Sequence, residues 1–406
     1  MIPYGRQDIT QADIDAVAEV LRSDFLTQGP AVPRFEALVA ARVNANFAVA
    51  VNSATSALHI ACMALDLGPG DWLWTVPNTF VASANCARYC GADVDFVDID
   101  ADTWNLSLPR LRDKLEAAKK NGRLPKVLVP VHFSGQPTEQ ESIWELAREY
   151  GFKVLEDASH SIGATRNGEP VGSCRWSDIT VFSFHPVKII TSGEGGMALT
   201  NDEVLAERMR MLRSHGITRN PALLRFGGAS NKPAGAAANK AVDASTSGPP
   251  AWYYEQQLLG YNYRMIDLEA ALGASQLQRL DTYVDRRNIL AGRYDKLLKD
   301  LPLQLPVVQR GNRSAFHIYV VRLKRQAKAK SHRQAFDELR SMGIGVNLHY
   351  LPVHLQPYYR ALGFKCGQFP EAEAYAESAI TIPLFPAMTN QQQDQVVDAL
   401  HQTLGN

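Results

Sequence analysis

Short runs rich in β-branched and aromatic residues alternate with helical runs between about residues 35 and 200, and this alternation restricts the fold more than any other feature. In the helical runs, apolar residues recur every three or four positions. Strands that alternate with helices are joined by right-handed crossovers, which give a mainly parallel sheet covered on both faces. The sequence therefore predicts an α/β fold whose ligands gather at the carboxyl ends of the strands. The predicted strands are 47–51, 72–76, 94–98, 127–131, 154–156 and 179–183, and the predicted helices between them are 56–67, 108–120 and 138–150.

Length and charge narrow the class of protein. A chain of 406 residues suits a large domain with a smaller one, and 46% apolar with 21% charged residues is typical of a globular protein. The 42 basic residues balance the 42 acidic residues, which disfavours nucleic acid and anionic membranes as partners. The sequence shows neither a signal peptide nor a membrane-spanning run, and its five scattered cysteines lack the spacing of a zinc site. We expect a cytoplasmic protein with free thiols and no metal.

The second half of the chain is less regular. The stretch 227–250, rich in Ala, Gly, Ser, Asn and Pro, is predicted to be a flexible insertion. A long helix is predicted over 268–298, and Pro302 and Pro306 mark its end. We assign 1–30 to an N-terminal arm and helix, 31–275 to the large domain and 276–406 to a small C-terminal domain.

The C-terminal domain is predicted to be α+β. Its predicted strands are 316–323 and 345–351, and its predicted helices are 333–342 and 371–380. The amphipathic stretch 11–21 is expected to form a helix that packs on this smaller domain.

Lys188 carries the clearest chemical signal. It follows Ser183 by five residues and precedes a glycine-rich turn at 193–196, while Asp157 ends an apolar strand about thirty residues earlier. Pyridoxal phosphate requires these groups: an amine for a Schiff base, a hydroxyl for the phosphate, and a carboxylate that keeps the pyridine nitrogen protonated. The alternative interpretation of Lys188 is a surface lysine beside a loop.

Other motifs agree with this interpretation, although each has a structural alternative. The segment 52–59 follows a strand and opens a helix, where bare N–H groups bind phosphate well, or where serine simply caps the helix. Phe80 follows the predicted strand 72–76 and is placed either to stack on a planar cofactor or to fill the core. His160 follows Asp157 by three residues, and the polar loop 261–264 suits a partner subunit's active site or ordinary packing. Neither a dinucleotide-binding glycine motif nor a Walker motif is present.

Taken together and in order, these segments resemble the DegT/DnrJ/EryC1/StrS aminotransferases, which are fold-type I pyridoxal phosphate enzymes acting on nucleotide-linked keto sugars. The resemblance covers nearly the whole chain. The segments are NSATSALH at 52–59, PNTF at 77–80, EDASH at 156–160, SFHPVK at 183–188, GEGG at 193–196 and GYNYRM at 260–265.

Three further segments resemble the branch of that family that serves pseudaminic acid synthesis: 4–7, 23–30 and 347–359. This resemblance implies that L-glutamate donates the amino group to C4 of a UDP-linked 4-keto-6-deoxy-2-acetamido sugar. It also implies a homodimer whose two subunits share each active site.

The family resemblance assigns roles residue by residue. Lys188 is implied as the Schiff-base lysine and proton shuttle, and Asp157 as the partner of the pyridine nitrogen. The cofactor-binding set implied by the resemblance is Ala54, Thr55, Phe80, Asp157, His160, Ser183, Lys188 and, across the dimer interface, Asn262. The residues implied for substrate contact are Tyr4, Arg6, His317 and His349.

Three other functions remain open at this stage. The first is the same chemistry on a TDP- or GDP-linked ketone. The second is a sugar dehydratase, but such relatives carry histidine in place of the lysine, so Lys188 argues against it. The third is a non-catalytic sensor or regulatory binding protein on the same scaffold, against which the retention of Lys188, Asp157 and Ser183 also weighs.

Overall fold

The fold is described from a computed structural model, which covers residues 1–225, 249–324 and 330–405. The predicted insertion at 227–250 lies almost entirely outside the described residues. The helices are α1 Gln11–Leu21, α2 Ala31–Val43, α3 Ala54–Ala64, α4 Ala82–Tyr89, α5 Leu108–Asn121, α6 Gln140–Tyr150, α7 Glu203–Arg213, α8 Asp267–Leu277, α9 Leu280–Leu297, α10 His332–Ser341, α11 Pro357–Ala361, α12 Pro370–Ala376 and α13 Asn390–Leu404.

The strands build one large sheet and several small ones. Within the described ranges the large sheet has the order β1-β9-β8-β5-β4-β2-β3, and the C-terminal sheet has the order β12-β14-β15. The strands are β1 Phe47–Val51, β2 Trp72–Thr75, β3 Asp93–Phe96, β4 Val127–Val129, β5 Lys153–Asp157, β6 Thr165–Arg166, β7 Glu169–Pro170, β8 Ile179–Ser183, β9 Gly196–Thr200, β10 Ile217–Thr218, β11 Glu255–Gln256, β12 Leu303–Gln304, β13 Asn312–Arg313, β14 Tyr319–Leu323 and β15 Ala379–Ile382.

The predicted mainly parallel sheet is confirmed. Strands β3, β2, β4, β5 and β8 pair in parallel, whereas β9 runs antiparallel between β8 and β1. The central strands β4 and β8 are buried along their whole length, which explains why they are continuous apolar runs in the sequence. The carboxyl ends of β1, β5 and β8 consequently meet at one edge of the sheet.

Strand β14 belongs to the C-terminal sheet and packs between two hydrophobic cores. Its side chains alternate between two faces, as in any β-strand. Val320 packs in the core that surrounds the large sheet, while Tyr319 and Val321 pack in a second core with α9, α10 and α13. The predicted domain boundary at 276 lies close to the end of α8.

The prediction of one helix over 268–298 is wrong. Helix α8 ends at Leu277 and α9 begins at Leu280, with Arg279 out of helical conformation at φ −106° and ψ 7°. Leu277 at the end of α8 and Leu280 at the start of α9 pack in the same core, and farther along α9 carries Leu290 into the C-terminal core. Periodicity alone does not reveal where the first helix ends.

Two C-terminal predictions are also wrong. The segment 345–351 is not a strand, because only Asn347 forms a bridge, with Thr381. The helix predicted over 371–380 ends at Ala376, and Ala379–Ile382 forms strand β15 instead. All four residues of β15 are buried and pair with β14, so tertiary burial of a short apolar run overrides the helical pattern.

Helix α1 has the predicted bounds. It packs against α8, which lies mostly in the region assigned to the large domain and ends just inside the region assigned to the C-terminal domain, so the expected packing on the smaller domain holds only at that junction. The anchor is Asp13, which is buried and accepts hydrogen bonds from Ser275 Oγ at 2.6 Å, Gln276 Nε2 at 2.9 Å and Arg279 at 2.6 Å. Burial alone raises the pKa of Asp13, but the bonds from Ser275, the Thr10 N–H and Arg279 hold it below its ordinary value.

We expect Asp13→Ala to lower the free energy of unfolding by about 3 kcal/mol, because it leaves buried donors and Arg279 without their acceptor. Asp15→Ala, on the exposed side of the same helix, is the matched control and has almost no effect. Because the pKa of Asp13 is depressed on folding, its stabilisation is present above the unfolded-state pKa and is lost as the pH falls through the folded-state pKa. Urea titrations at neutral and acidic pH measure both effects. Equal unfolding energies for the two variants contradict the role of Asp13.

Candidate active site

One cavity of about 300 Å³ lies at the edge where the parallel strands end. Asp157 is the last residue of β5 and Ser183 the last of β8, and α3 begins after β1 at the same edge. The predicted candidates that line the cavity are Tyr4, Ala54, Thr55, Phe80, Asp157, His160, Ser183, Lys188, His317 and His349.

Lys188 projects into this cavity from the loop that follows β8. Its backbone N–H donates to the His185 carbonyl at 2.9 Å, which closes a tight turn and fixes the lysine relative to the strand. Burial lowers the pKa of Lys188 to about 8, and the Asp157 carboxylate opposes that decrease. An amine with such a pKa is partly neutral near physiological pH and therefore nucleophilic.

Asp157 is buried and held at several points. Its backbone N–H donates to the Pro130 carbonyl at 3.0 Å, and its carbonyl accepts from the His132 N–H at 3.1 Å. In the side chain, Oδ2 accepts from Ser83 Oγ at 2.6 Å and Oδ1 accepts from the Ser159 N–H at 3.1 Å. Both oxygens of the carboxylate are thus oriented by donors of the protein.

The start of α3 has the features that favour an anion. Ser53 caps the helix by accepting from the Ser56 N–H at 3.1 Å, which leaves the N–H groups of Ala54 and Thr55 in the first turn, where a helix supplies no acceptor. Gly196 passes so close that a Cβ there would lie 2.4 Å from the Ala54 nitrogen. A bound phosphate at this position gains from the bare N–H groups and the helix dipole.

Three neutral histidines surround the lysine. Burial is the main cause that lowers the pKa of His160 and of His317 well below the ordinary value, and the nearby charge of Lys188 adds to it. Burial and Lys188 also lower the pKa of His349 to about 4. The rings of His160 and His317 lie 4.3 Å apart, and Nδ1 of each is buried without a hydrogen-bond partner among the described residues.

The remaining candidates divide into two groups. Tyr4 lies at the cavity with its ring 5.2 Å from that of His349, and Phe80 lies at the rim with 57% of its surface exposed. Arg6 and Asn262 do not line the cavity. Asn262 is exposed and forms a backbone bridge with Ser214 instead.

Sequence reasoning missed several residues that the fold brings to the site. Tyr350 donates or accepts a 3.2 Å hydrogen bond with His160 Nε2, and burial followed by the charge of Asp157 raises its pKa. Thr79 and Ser83 lie behind Asp157. The only sequence signal for the latter two is their spacing of four residues around Phe80, with Thr79 in the loop before α4 and Ser83 in the first turn of that helix.

The described part of the chain was also searched for metal and membrane features. It contains no group of three or more His, Cys, Asp or Glu side chains arranged to hold a metal ion. It also contains no helix that is both long and apolar enough to cross a membrane.

Comparison with known proteins decides the family, because the model of the DegT/DnrJ/EryC1/StrS aminotransferase family matches residues 7–401. The chain belongs to this family. It is similar to the spore coat polysaccharide biosynthesis protein SpsC of Bacillus subtilis, with 38% identity over 98% of this chain and 96% of the relative.

Two solved structures share the fold over nearly the whole chain. The putative sugar aminotransferase Spr1654 of Streptococcus pneumoniae, in its PMP form, has 27% identity and a TM-score of 0.85, with 99% of this chain and 97% of that chain covered. Helicobacter pylori PseC, described as an aminotransferase involved in the biosynthesis of pseudoaminic acid, has 26% identity and a TM-score of 0.85, with 99% of both chains covered. The protein is therefore a pyridoxal phosphate-dependent sugar aminotransferase of fold type I.

The cavity fits this cofactor. A desolvated amine, a strand-end carboxylate and a helix N-terminus with bare N–H groups supply partners for an aldehyde, a basic ring nitrogen and a phosphate, respectively. The neutral histidines add no competing positive charge to the cavity.

We expect the uptake of pyridoxal phosphate by the apoprotein to become faster as the pH rises, with a midpoint near 8, because only the neutral amine of Lys188 attacks an aldehyde. In Asp157→Asn the midpoint shifts to lower pH, since the carboxylate that favours the charged amine is gone. Stopped-flow absorbance at the yellow band measures the rate. A midpoint near the ordinary lysine value in the wild type contradicts the desolvated state of Lys188.

Proposed function

We propose that the protein transfers the amino group of L-glutamate to C4 of a UDP-linked 4-keto-6-deoxy-2-acetamido sugar, in pseudaminic acid biosynthesis and in the cytoplasm. The observation that carries the proposal is the half-buried, desolvated Lys188 that shares a cavity with Asp157 in a sugar aminotransferase fold. The likeness to PseC over 99% of both chains supports the choice of sugar.

In this proposal the cofactor is held at three places. The N–H groups of Ala54 and Thr55, with the Ser183 hydroxyl, bind its phosphate at the start of α3. Phe80 covers one face of the ring at the rim of the cavity, and His160 contacts the ring oxygen. This arrangement leaves Lys188 and Asp157 for the chemistry.

Pyridoxal phosphate supplies an electron sink that stabilises the negative charge left on a carbon when its proton departs. Lys188 Nζ takes that proton from the carbon of glutamate and later returns a proton to C4 of the sugar. Its pKa of about 8 suits a group that must both accept and donate near neutral pH. Asp157 holds the proton on the pyridine nitrogen, because an ionised carboxylate favours a charged neighbour.

The substrate contacts are proposed on the far wall of the cavity. His317 Nδ1 is buried and lacks a partner within the described residues, so it is available to a substrate oxygen. His349 is held by a 2.8 Å hydrogen bond between its Nδ1 and Thr381 Oγ1, and Tyr4 packs beside its ring. Arg6, on the same N-terminal segment as Tyr4, is proposed to reach an anionic group of glutamate or of the nucleotide.

A homodimer with shared sites is part of the proposal. Asn262 does not line the cavity of its own subunit and is exposed, while the neighbouring Leu259 is 76% exposed. Trp252 and Tyr254 are exposed large apolar residues that also precede this polar loop in the chain, and where such side chains form one patch, the patch is typical of a surface that a partner covers. Asn262 then reaches the phosphate bound by the partner subunit.

A second candidate has an observation in its favour. SpsC, a protein of spore coat polysaccharide biosynthesis, is 38% identical over 98% of this chain. The same reaction on another nucleotide-linked keto sugar, such as a TDP- or GDP-linked ketone, is therefore the alternative. A non-catalytic role on this scaffold gains no support, because the lysine, the carboxylate and the helix N-terminus are all in place.

We expect the glutamate-treated enzyme to regain its yellow absorbance fastest with the UDP-linked 4-keto-6-deoxy-2-acetamido sugar among a panel of UDP-, TDP- and GDP-linked ketones. Lys188→Ala is the control and should lose turnover by at least about 10³-fold, because the proton shuttle is absent. Single-turnover absorbance gives the rates, and mass spectrometry identifies the amino sugar. Faster recovery with a TDP- or GDP-linked ketone selects the alternative.

We expect a mixture of inactive Lys188→Ala and inactive Asn262→Ala chains to regain activity after subunit exchange, since each hybrid dimer contains one intact site. The matched control mixes Lys188→Ala with Asp157→Asn. Both of these changes lie in the same chain's half of the site, so every hybrid site remains damaged and no recovery follows. Equal activity in the two mixtures, with exchange demonstrated, rules out the shared site.

A further inference from the structure

We infer that Ser83 is a positioning residue that, together with Thr79, orients the carboxylate of Asp157 towards the cofactor ring. Neither hydroxyl belongs to the cofactor-binding set described above. The inference rests on the role proposed for Asp157 and adds to it the group that gives this carboxylate its direction.

The geometry is that of a buried hydroxyl chain. Ser83 is completely buried, and its Oγ lies 2.6 Å from Oδ2 of Asp157. Thr79 is 3% exposed, and its Oγ1 lies 2.8 Å from Ser83 Oγ. The three side chains thus form a continuous line from the loop after β2, through α4, to the end of β5.

Chemistry fixes the direction of the two hydrogen bonds. An ionised carboxylate only accepts, so the Ser83 proton lies between its oxygen and Asp157. The Ser83 oxygen then accepts the proton of Thr79. The chain of donation therefore runs from Thr79 to Ser83 to Asp157, and each bond polarises the next.

Backbone hydrogen bonds hold the Thr79 and Ser83 hydroxyls in position. The Ser83 N–H donates to the Phe80 carbonyl at 3.3 Å, and the Ser83 carbonyl accepts from Cys86 Sγ at 3.2 Å. Phe80 lies between Thr79 and Ser83 in the sequence. One turn of chain consequently carries both the aromatic ring at the rim of the cavity and the hydroxyls behind the carboxylate.

The two oxygens of Asp157 are held from different sides. Ser83 binds Oδ2, whereas the Ser159 N–H binds Oδ1 at 3.1 Å. With the Ser83 donor removed, only the longer bond resists rotation of the carboxyl plane about the Cβ–Cγ axis. A rotated carboxylate would form a poorly aligned hydrogen bond with the ring nitrogen, and the protonated form of that nitrogen would be less stabilised.

The test compares Ser83→Ala with four other variants, one of which, Ser83→Thr, keeps the hydroxyl at this position. Ser161→Ala is the matched control, because Ser161 is also completely buried and donates at 3.0 Å to the His132 carbonyl, without touching Asp157. Thr79→Val removes the first donor of the chain at nearly constant volume. Asp157→Asn removes the carboxylate itself.

Three measurements are made on each variant: thermal unfolding of the apoprotein, the 15N chemical shift of the ring nitrogen in labelled cofactor, and the single-turnover rate with glutamate. We expect Ser83→Ala and Ser161→Ala to unfold at similar temperatures. We expect only Ser83→Ala to shift the nitrogen signal towards the unprotonated value and to slow the glutamate step about 10-fold, as the loss of a hydrogen bond to a charged group implies. Thr79→Val shifts the nitrogen signal and slows the glutamate step in the same direction but by less. Ser83→Thr restores the signal and the rate.

The outcomes separate this inference from the function on which it rests. A nitrogen signal that moves in Asp157→Asn but not in Ser83→Ala or Thr79→Val overturns the role of Ser83 and leaves that of Asp157 intact. A signal that moves in none of them overturns the role of Asp157 as well. If Ser83→Thr does not fold, the graded effect of Thr79→Val decides, and its absence also overturns the inference.

Discussion

The site depends on one pair of opposite charges that share a buried cavity. Burial destabilises the charged amine of Lys188, and the Asp157 carboxylate partly restores it, which gives a pKa of about 8. The surrounding histidines are neutral for the same reason, since burial and the positive charge of Lys188 both oppose their protonation. The cavity can therefore hold a lysine that switches between its two protonation states without a change in its other groups.

The fold supplies this pair through the direction of its strands. Because β5 and β8 are parallel neighbours, their last residues lie at the same edge, and the loop after β8 brings Lys188 back over the end of β5. Strand β9 then returns antiparallel and passes close to the start of α3 at Gly196. The loop after β8 thus places the Lys188 amine at the cavity, and strand β9 places Gly196 beside the start of α3.

Much of this was predictable from the sequence, and the failures have a common cause. Strand β8 has the bounds that its β-branched run predicts, because its residues are buried on both faces and local pattern and tertiary burial agree. The errors at 268–298 and 371–380 both concern where a helix ends, and contacts distant in sequence bear on both segments: α9 carries Leu290 into the C-terminal core, and β15 pairs with β14. The hydrogen bond from Ser83 to Asp157 could not be predicted from the sequence for a similar reason, since the two residues lie 74 positions apart in the chain.

The sequence alone does not show which of the adjacent carboxylates Glu156 and Asp157 reaches the cavity, but the fold does. Successive side chains of a strand point to opposite faces, so only one of the two reaches the cavity. Glu156 instead accepts hydrogen bonds from Gln140 Nε2 at 2.5 Å and Thr180 Oγ1 at 2.7 Å on the other face. Burial raises the pKa of Glu156, but His132 together with these donors holds it below the ordinary value, so it stays ionised as a structural acceptor. The same strand therefore places one carboxylate at the cavity and the other in the core, and a shift of one residue along β5 would exchange their surroundings.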